Sequence, residues 1–187
     1  MSTATYTVTK KGGKGNTYGV SSEVSGFFHI KPGHLDQLIA ACERFHQRLK
    51  AAPEEYMHRF GLRGMRHVIF DNGTRLAWIT EFETDWDPYI DDSVNTLGLP
   101  TWADWFQHLT ETPDDLLEYN HDQLKAFIQS GQVKATGFFT TISDMTMPEI
   151  RKGQRVRRAL ETVIDTPGGA RALENPALKP LLEEAAD

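Results

Sequence analysis

The stretch MRHVIFDNGTRLAWITEFE, residues 65–83, decides the fold. Two runs rich in β-branched and aromatic residues, Met65–Phe70 and Arg75–Glu83, flank the tetrapeptide DNGT at residues 71–74. Asn and Gly accept the positive φ angles that tight hairpin turns require. The stretch therefore predicts a β-hairpin at the centre of an antiparallel sheet.

A strand and a helix precede this hairpin. The run GFFHI at residues 26–30 predicts the first strand, and KPG at residues 31–33 ends it. From His34 to Ala51 the apolar residues recur every three or four positions, which is the periodicity of an amphipathic helix. The chain thus begins with the order β-α-β-β.

Helical patterns and a last strand follow the hairpin. Asp87 and Pro88 predict a helix start, because Asp caps free amides and Pro fits the first turn. Residues 98–132 predict a helical insertion, Val133–Ile142 a fourth strand, and residues 146–165 a last helix. The order β-α-β-β-α-(α-α)-β-α is the split βαβ pattern of ferredoxin-like folds. We expect an α+β fold with a four-stranded antiparallel sheet and helices on one face.

The length of 187 residues suits one domain with additions at its ends. Residues 1–20 are rich in Gly, Lys and Thr and are expected to form a flexible N-terminal arm. Residues 21–166 would form the ferredoxin-like domain, which includes the insertion at residues 98–132. Residues 167–187 would form a C-terminal tail.

Composition excludes several classes of partner. The net charge is −6, and the chain from Glu81 to Leu124 holds twelve acidic residues without Lys or Arg, which argues against nucleic acid as partner. The basic run Arg151–Arg158 lies on one predicted helix and is interpreted as a solvated face. A single cysteine and the lack of an 18-residue apolar run favour a cytoplasmic protein that does not enter a membrane.

Three stretches resemble the dimeric α/β-barrel superfamily. FFHIKPGHLDQLIAACERF, at residues 27–45, is similar to the first strand and helix of its small members. RHVIFDNGTRLAWITEFETDWDPYIDDSV, at residues 66–94, resembles bacterial proteins related to dye-decolourising peroxidases and antibiotic-biosynthesis-type monooxygenases. It includes their Trp-x-x-Tyr-x-x-Asp helix, here Trp86, Tyr89 and Asp92. TMPEIRKGQRVRRALETVID, at residues 146–165, resembles their final helix.

The resemblance implies a homodimer in which two sheets meet, with a pocket between each sheet and its helices. The superfamily includes cofactor-free monooxygenases, isomerases, cyclases and haem enzymes, so the fold does not decide the reaction. The first expectation is a metal-free enzyme that oxidises, isomerises or cyclises an aromatic or polyketide-like small molecule. The alternatives are a haem-binding, peroxidase-like protein and a non-catalytic dimer that binds a ligand. Whether the chain is an enzyme at all stays open at this point.

Strand alternation selects the candidate site residues. One sheet face is expected to present His29, His67, Trp78, Thr80 and Phe82 together. His67 is the candidate acid or base, because an imidazole exchanges protons near neutral pH, and Thr80 is its candidate hydrogen-bond partner. His29, Trp78 and Phe82 would contact the ligand. The alternative for both histidines is a structural, hydrogen-bonded residue within a strand.

The insertion adds further aromatic residues. Trp102 and Trp105 would cover the pocket and stack on a flat ligand, unless they serve to pack the insertion onto the domain. His108 is the candidate axial ligand in the haem alternative. No metal-binding motif occurs in the sequence, so the main expectation is a site without metal or cofactor.

Overall fold

A computed structural model describes residues 15–184 of the chain. The chain divides into two compact units, one that ends at Thr146 and one that begins at Met147. The last helix of the predicted domain therefore belongs to the second unit. Residues 1–14 of the predicted N-terminal arm lie outside the described residues, and Thr17 and Tyr18 form a short strand.

The first unit contains a sheet and a set of helices. Its strands are β1 (Thr17–Tyr18), β2 (Ser21–His29), β3 (Leu62–Phe70), β4 (Arg75–Phe82) and β5 (Gln132–Val133). Its helices are α1 (Leu35–Ala51), α2 (Glu54–Arg59), α3 (Trp86–Leu97), α4 (Leu99–Phe106) and α5 (His121–Gly131), with a 3₁₀ turn at Leu116–Glu118.

The second unit is helical. It contains α6 (Met147–Asp165), α7 (Gly169–Leu173) and α8 (Lys179–Glu184), with a 3₁₀ turn at Pro176–Leu178. Helix α6 has no buried residue, and Val156 and Val163 are exposed on it. None of the helices in residues 15–184 is long and apolar enough to cross a membrane.

The sheet is open and antiparallel, which confirms the predicted mixed α+β class. Strand β4 lies between β2 and β3, and both β1 and β5 pair with the remaining edge of β2. The predicted hairpin is confirmed, since Phe70 pairs with Arg75 across the DNGT turn. Asp71, Asn72 and Gly73 have φ angles of 54°, 53° and 79°, as such a turn requires.

The predicted fourth strand is wrong over most of its length. Strand β5 ends at Val133, and residues 134–146 are irregular. Continued antiparallel pairing would bring Thr136 opposite Ser22, but Thr17 of β1 already pairs with Ser22. The irregular segment is held by other bonds, listed here: Asn16 Nδ2 donates to Ala135 O (2.8 Å), Val20 N to Ser143 O (2.7 Å), and the Arg63 guanidinium to Ile142 O (2.8 Å) and Met145 O (3.0 Å).

The core lies between one sheet face and the helices. Alternate residues of β4 are buried on this face, namely Leu76, Trp78, Thr80 and Phe82. The buried aromatic residues of α4, which are Trp102, Trp105 and Phe106, pack against them. Burial of each large apolar side chain contributes about 1.5–3 kcal/mol, so this aromatic layer is a main source of the unit's stability. The opposite sheet face carries Phe27, Val68 and Ile79, and residues 135–139 lie beside part of it.

Candidate functional site

The structure separates His29 from the other candidates on the strands. Phe28 pairs with Leu76, so Phe28 shares a face with Trp78, while His29 lies on the opposite face. Its exposed imidazole contacts the Glu111 carboxylate at 2.6 Å. The prediction that His29 shares a face with His67 is therefore wrong, because a register off by one residue turns every side chain of a strand over.

The aromatic candidates lie close together in the core. Trp78, Phe82, Trp102 and Trp105 are at most 1% exposed. The Trp105 ring centroid lies 6.1 Å from that of Trp78 and 6.1 Å from that of Trp102. Side chains thus fill the place of the predicted pocket between sheet and insertion. The geometry favours the packing alternative for Trp102 and Trp105, and contact with a ligand would require this core to open.

Thr80 forms a hydrogen bond within the core. Its hydroxyl lies 2.7 Å from the Tyr89 hydroxyl, and both side chains are buried. The Tyr89 ring stacks on Phe82 with a centroid distance of 4.1 Å, and burial raises the pKa of the Tyr89 hydroxyl well above its usual value. Thr80 therefore has the surroundings of a structural residue rather than those of a catalytic one.

His67 forms a pair with a second histidine, His46. His67 lies on β3 and His46 on α1, and Nδ1 of His67 is 3.0 Å from Nε2 of His46. One ring must donate an N–H to the lone pair of the other at this distance. The second nitrogen of His67, Nε2, is buried and has no hydrogen-bond partner among the described residues. The His67 ring packs edge-on against Trp105, with a centroid distance of 4.6 Å.

This environment keeps both rings neutral at pH 7. Burial, with a smaller contribution from the neighbouring His46, lowers the pKa of His67 to about 3. Partial burial also lowers the pKa of His46, with a contribution from Lys50. A neutral imidazole retains a lone pair, so it can accept a proton from a ligand without first losing one.

A cleft of about 450 Å³ opens beside the pair, between α1 and the edge strand β3. We call it the imidazole cleft; its lining is Ile39, Cys42, Glu43, His46, Gln47 and Lys50 from α1, with His67 and Ile69 from β3. Its volume falls within the range of small-molecule sites. Burial raises the pKa of the Cys42 thiol to about 12, so this thiol is protonated at pH 7 and is no nucleophile.

Reasoning from the sequence missed His46. The apolar stripe of α1 packs in the core, whereas His46 lies on the neighbouring flank. A signal was present, because Cys42, His46 and Lys50 are spaced by four residues and so share that flank. The contact with His67 joins residues that are 21 positions apart, which no local pattern indicates.

His108 lies at a different place, just beyond α4. Its Nδ1 is 3.0 Å from Nδ1 of His34, the residue before α1. His34 lines a second cleft, of about 660 Å³, between α1 and α4. We call it the basic cleft; its lining is Lys31, His34, Arg44, Arg48, Pro100, Ala103, Asp104, Gln107, Thr112, Pro113, Asp114, Leu116 and Leu117.

The surroundings of His108 do not fit a haem group. One of its ring nitrogens already contacts His34, and the adjacent cleft is bordered by charged side chains such as Arg44 and Asp104 instead of a flat apolar slot. Within residues 15–184 no group of three or more His, Cys, Asp or Glu side chains is arranged to hold a metal ion.

Comparisons of the chain with protein-family models, curated proteins and solved structures find no match.

Proposed function

We propose that this protein binds a small molecule in the imidazole cleft and that His46 exchanges a proton with it. The observation that supports the proposal is the His46–His67 pair, which borders a cleft of about 450 Å³. Nε2 of His67 is buried and has no hydrogen-bond partner among the described residues. Both histidines line the cleft, and the contact with Nδ1 of His67 fixes the orientation of the His46 ring. In this scheme His46 is the catalytic base, and His67 is a positioning residue.

The proton transfer follows from the two ring nitrogens of His46. When Nε2–H of His46 donates to Nδ1 of His67, the lone pair of His46 Nδ1 is available to the ligand. That nitrogen takes a proton from a weakly acidic C–H or O–H group, which leaves the ligand as an anion and His46 as an imidazolium. Return of the proton to another atom of the ligand completes an isomerisation without metal or redox cofactor. Lys50, at the same cleft, would favour the anionic intermediate.

The proposed fold family agrees with the order of the strands. The order β5-β2-β4-β3, with helices after β2 and β4, is that of ferredoxin-like domains.

We propose that the sheet face of Phe27, Val68 and Ile79 meets the same face of a second copy, because an open sheet face with apolar side chains requires cover. Sedimentation at micromolar concentration should give about twice the chain mass of 21.1 kDa, and Val68→Lys should reduce it to the monomer value. A wild-type monomer would contradict this arrangement.

Native mass spectrometry tests the site. The protein as purified should retain a small molecule, or acquire one from a library of small aromatic acids and phenols. His46→Gln should lose this complex, while His121→Gln, at a surface histidine paired with Asp91, should keep it. Equal retention by both variants would contradict the proposed site, provided that both give the melting curve of a folded protein.

Deuterium exchange separates an enzyme from a binding protein. In D₂O the bound ligand should incorporate deuterium at the abstracted position, and His46→Gln should abolish incorporation. Binding without deuterium incorporation would favour the non-catalytic alternative. A Soret band after addition of haemin, lost in His108→Ala, would instead favour the haem alternative.

A further inference from the structure

The basic cleft gathers positive charge in a region that is otherwise acidic. Lys31, Arg44 and Arg48 border it, all from α1 or the turn before it. The opposing chain belongs to the stretch from Glu81 to Leu124, which has no Lys or Arg. Asp104 and Asp114 are the acidic residues of the lining. The positive groups therefore come from one side and converge on one cavity.

Both arginines are held in place by the protein itself. Arg44 donates from Nε and Nη2 to the two carboxylate oxygens of Asp104, at 2.9 and 2.8 Å. Arg48 donates from Nη1 to Thr101 Oγ1 at 2.7 Å, and Thr101 donates to Leu97 O at 2.7 Å. Within residues 15–184 Arg48 makes no other side-chain hydrogen bond. The guanidinium of Arg48 is therefore held in one position, and its remaining N–H groups can donate to a ligand. Because the side chain is already ordered, a ligand that binds it loses less entropy.

The second histidine pair borders the same cavity. His34 Nδ1 and His108 Nδ1 are 3.0 Å apart, so one of them carries the proton that joins them. Two backbone bonds fix this geometry: Lys31 N donates to His108 O at 2.9 Å, and His34 N donates to Lys31 O at 3.0 Å. The charged groups that face the pair are Lys31 and Arg44, which oppose a further proton, and Asp104, which favours it. An anion in the cleft would add to the effect of Asp104 and draw a further proton onto the pair.

We propose that the basic cleft binds the phosphate or carboxylate group of a small organic anion. Arg48 and Lys31 contact the charged group, and the His34–His108 pair takes up a proton as it binds. At about 660 Å³ the cleft exceeds the size of an inorganic ion, and Leu116, Leu117 and Pro113 offer apolar contact to the rest of the ligand. Leu117 is 64% exposed and so can contact a ligand. The inference does not rest on the proposed function, because this cleft lies on the other flank of α1 from the imidazole cleft.

Isothermal titration calorimetry with phenyl phosphate, benzoate and inorganic phosphate tests this site. Phenyl phosphate or benzoate should bind at least about fivefold more tightly than inorganic phosphate, because the ring adds apolar contact. Affinity should be higher at about pH 6 than at about pH 8, with proton uptake, and should decrease as salt is added. Stronger binding of phenyl phosphate identifies a phosphate site, and stronger binding of benzoate a carboxylate site.

Variants of the basic residues test whether the anion binds in the basic cleft. Arg48→Met should weaken binding about tenfold or more, since it removes charge-assisted hydrogen bonds. Lys31→Met should weaken it about threefold or more. Lys31 forms no ion pair in the described part of the chain, so this variant remains informative if Arg48→Met is poorly folded. Arg59→Met, at an exposed arginine on α2, is the control and should bind as the wild type does. Undetectable binding of all three anions, or equal affinity in Lys31→Met and the wild type, would overturn the proposal.

Discussion

Two histidine pairs lie on opposite flanks of α1, and their ring nitrogens are separated by 3.0 Å in each. The His46–His67 pair lies against the aromatic core, where Trp105 and Phe45 contact the His67 ring. The His34–His108 pair lies instead beside Lys31, Arg44 and Asp104. Since the distances are equal, the surroundings must account for any difference in chemistry.

The difference concerns how each pair can acquire a proton. The pKa of His67 is lowered by burial and by His46, with no carboxylate that favours the charged ring, so a proton there is costly and the ring stays neutral at pH 7. Around His108 burial is partial, and Asp104 offsets part of the opposition from His34, Arg44 and Lys31. An added anion can therefore shift the protonation of the second pair far more easily than that of the first.

Removal of the Trp105 side chain should have the largest effect. Trp105 is fully buried, so Trp105→Ala should lower the free energy of unfolding by about 3–5 kcal/mol. The cavity would also admit water beside His67 and raise its pKa toward the ordinary value. Urea denaturation measures the first effect, with Leu117→Ala, at an exposed position, as the control that changes stability by about 0.5 kcal/mol or less. A loss below about 1 kcal/mol would contradict the packing described for α4.

The second largest effect should be the contribution of His67 to the pH dependence of the free energy of unfolding. Its pKa is about 3 in the folded protein, against about 6.5 for an ordinary histidine, so below about pH 6.5 the unfolded chain binds the additional proton. Above that pH His67 does not affect stability; below it the free energy of unfolding should fall by up to about 1.4 kcal/mol per pH unit until the folded pKa is reached. His67→Phe should remove this component. Urea midpoints at several pH values check it, and equal slopes in both proteins would contradict it.

The hydroxyl pair in the core should have a moderate effect. Thr80→Val leaves the Tyr89 hydroxyl buried without its partner and should cost about 1–3 kcal/mol. Tyr89→Phe in addition should recover part of this loss, because no buried hydroxyl then remains unpaired. A double-mutant cycle by urea denaturation measures the coupling. Additive losses would show that the two hydroxyls do not interact.

Replacement of His108 should have the smallest effect on stability. The side chain is only partly buried, so His108→Asn should change the free energy of unfolding by about 0.5 kcal/mol or less. The same variant should reduce the affinity for phenyl phosphate and its pH dependence. Calorimetry and urea denaturation of one sample check both results. A large loss of stability would show that the pair has a structural role.

Local patterns predicted part of this molecule. The DNGT turn was predictable because turn residues act on their immediate neighbours. A helix was also predicted near Asp87, but Asp87 is not its cap: the helix begins at Trp86, and Asp85 is the N-cap residue. The end of β5 at Val133 was not predictable, because the distant strand β1 occupies the edge of β2. The incorrect prediction of the fourth strand thus involves residues that are far apart in sequence.

The candidate site shows the same limit. The His67 position on the inner face followed from strand alternation, and its partner His46 did not. The face of His29 depended on the register between β2 and β4, which only the folded sheet determines. Trp78, Trp102 and Trp105 were visible in the sequence, but whether they wall a pocket or fill a core depends on how closely α4 approaches the sheet.

Nitrogen-15 NMR of the histidine rings can follow the protonation of the two pairs separately. Between about pH 7.5 and about pH 5, the ring nitrogens of His67 should keep the chemical shifts of a neutral imidazole, with a scalar coupling to His46 Nε2. Addition of phenyl phosphate should raise the pKa of His108 and leave His67 unchanged. Protonation of His67 with a midpoint near 6.5 would contradict the account, because a desolvated ring against Trp105 should not take up a proton there.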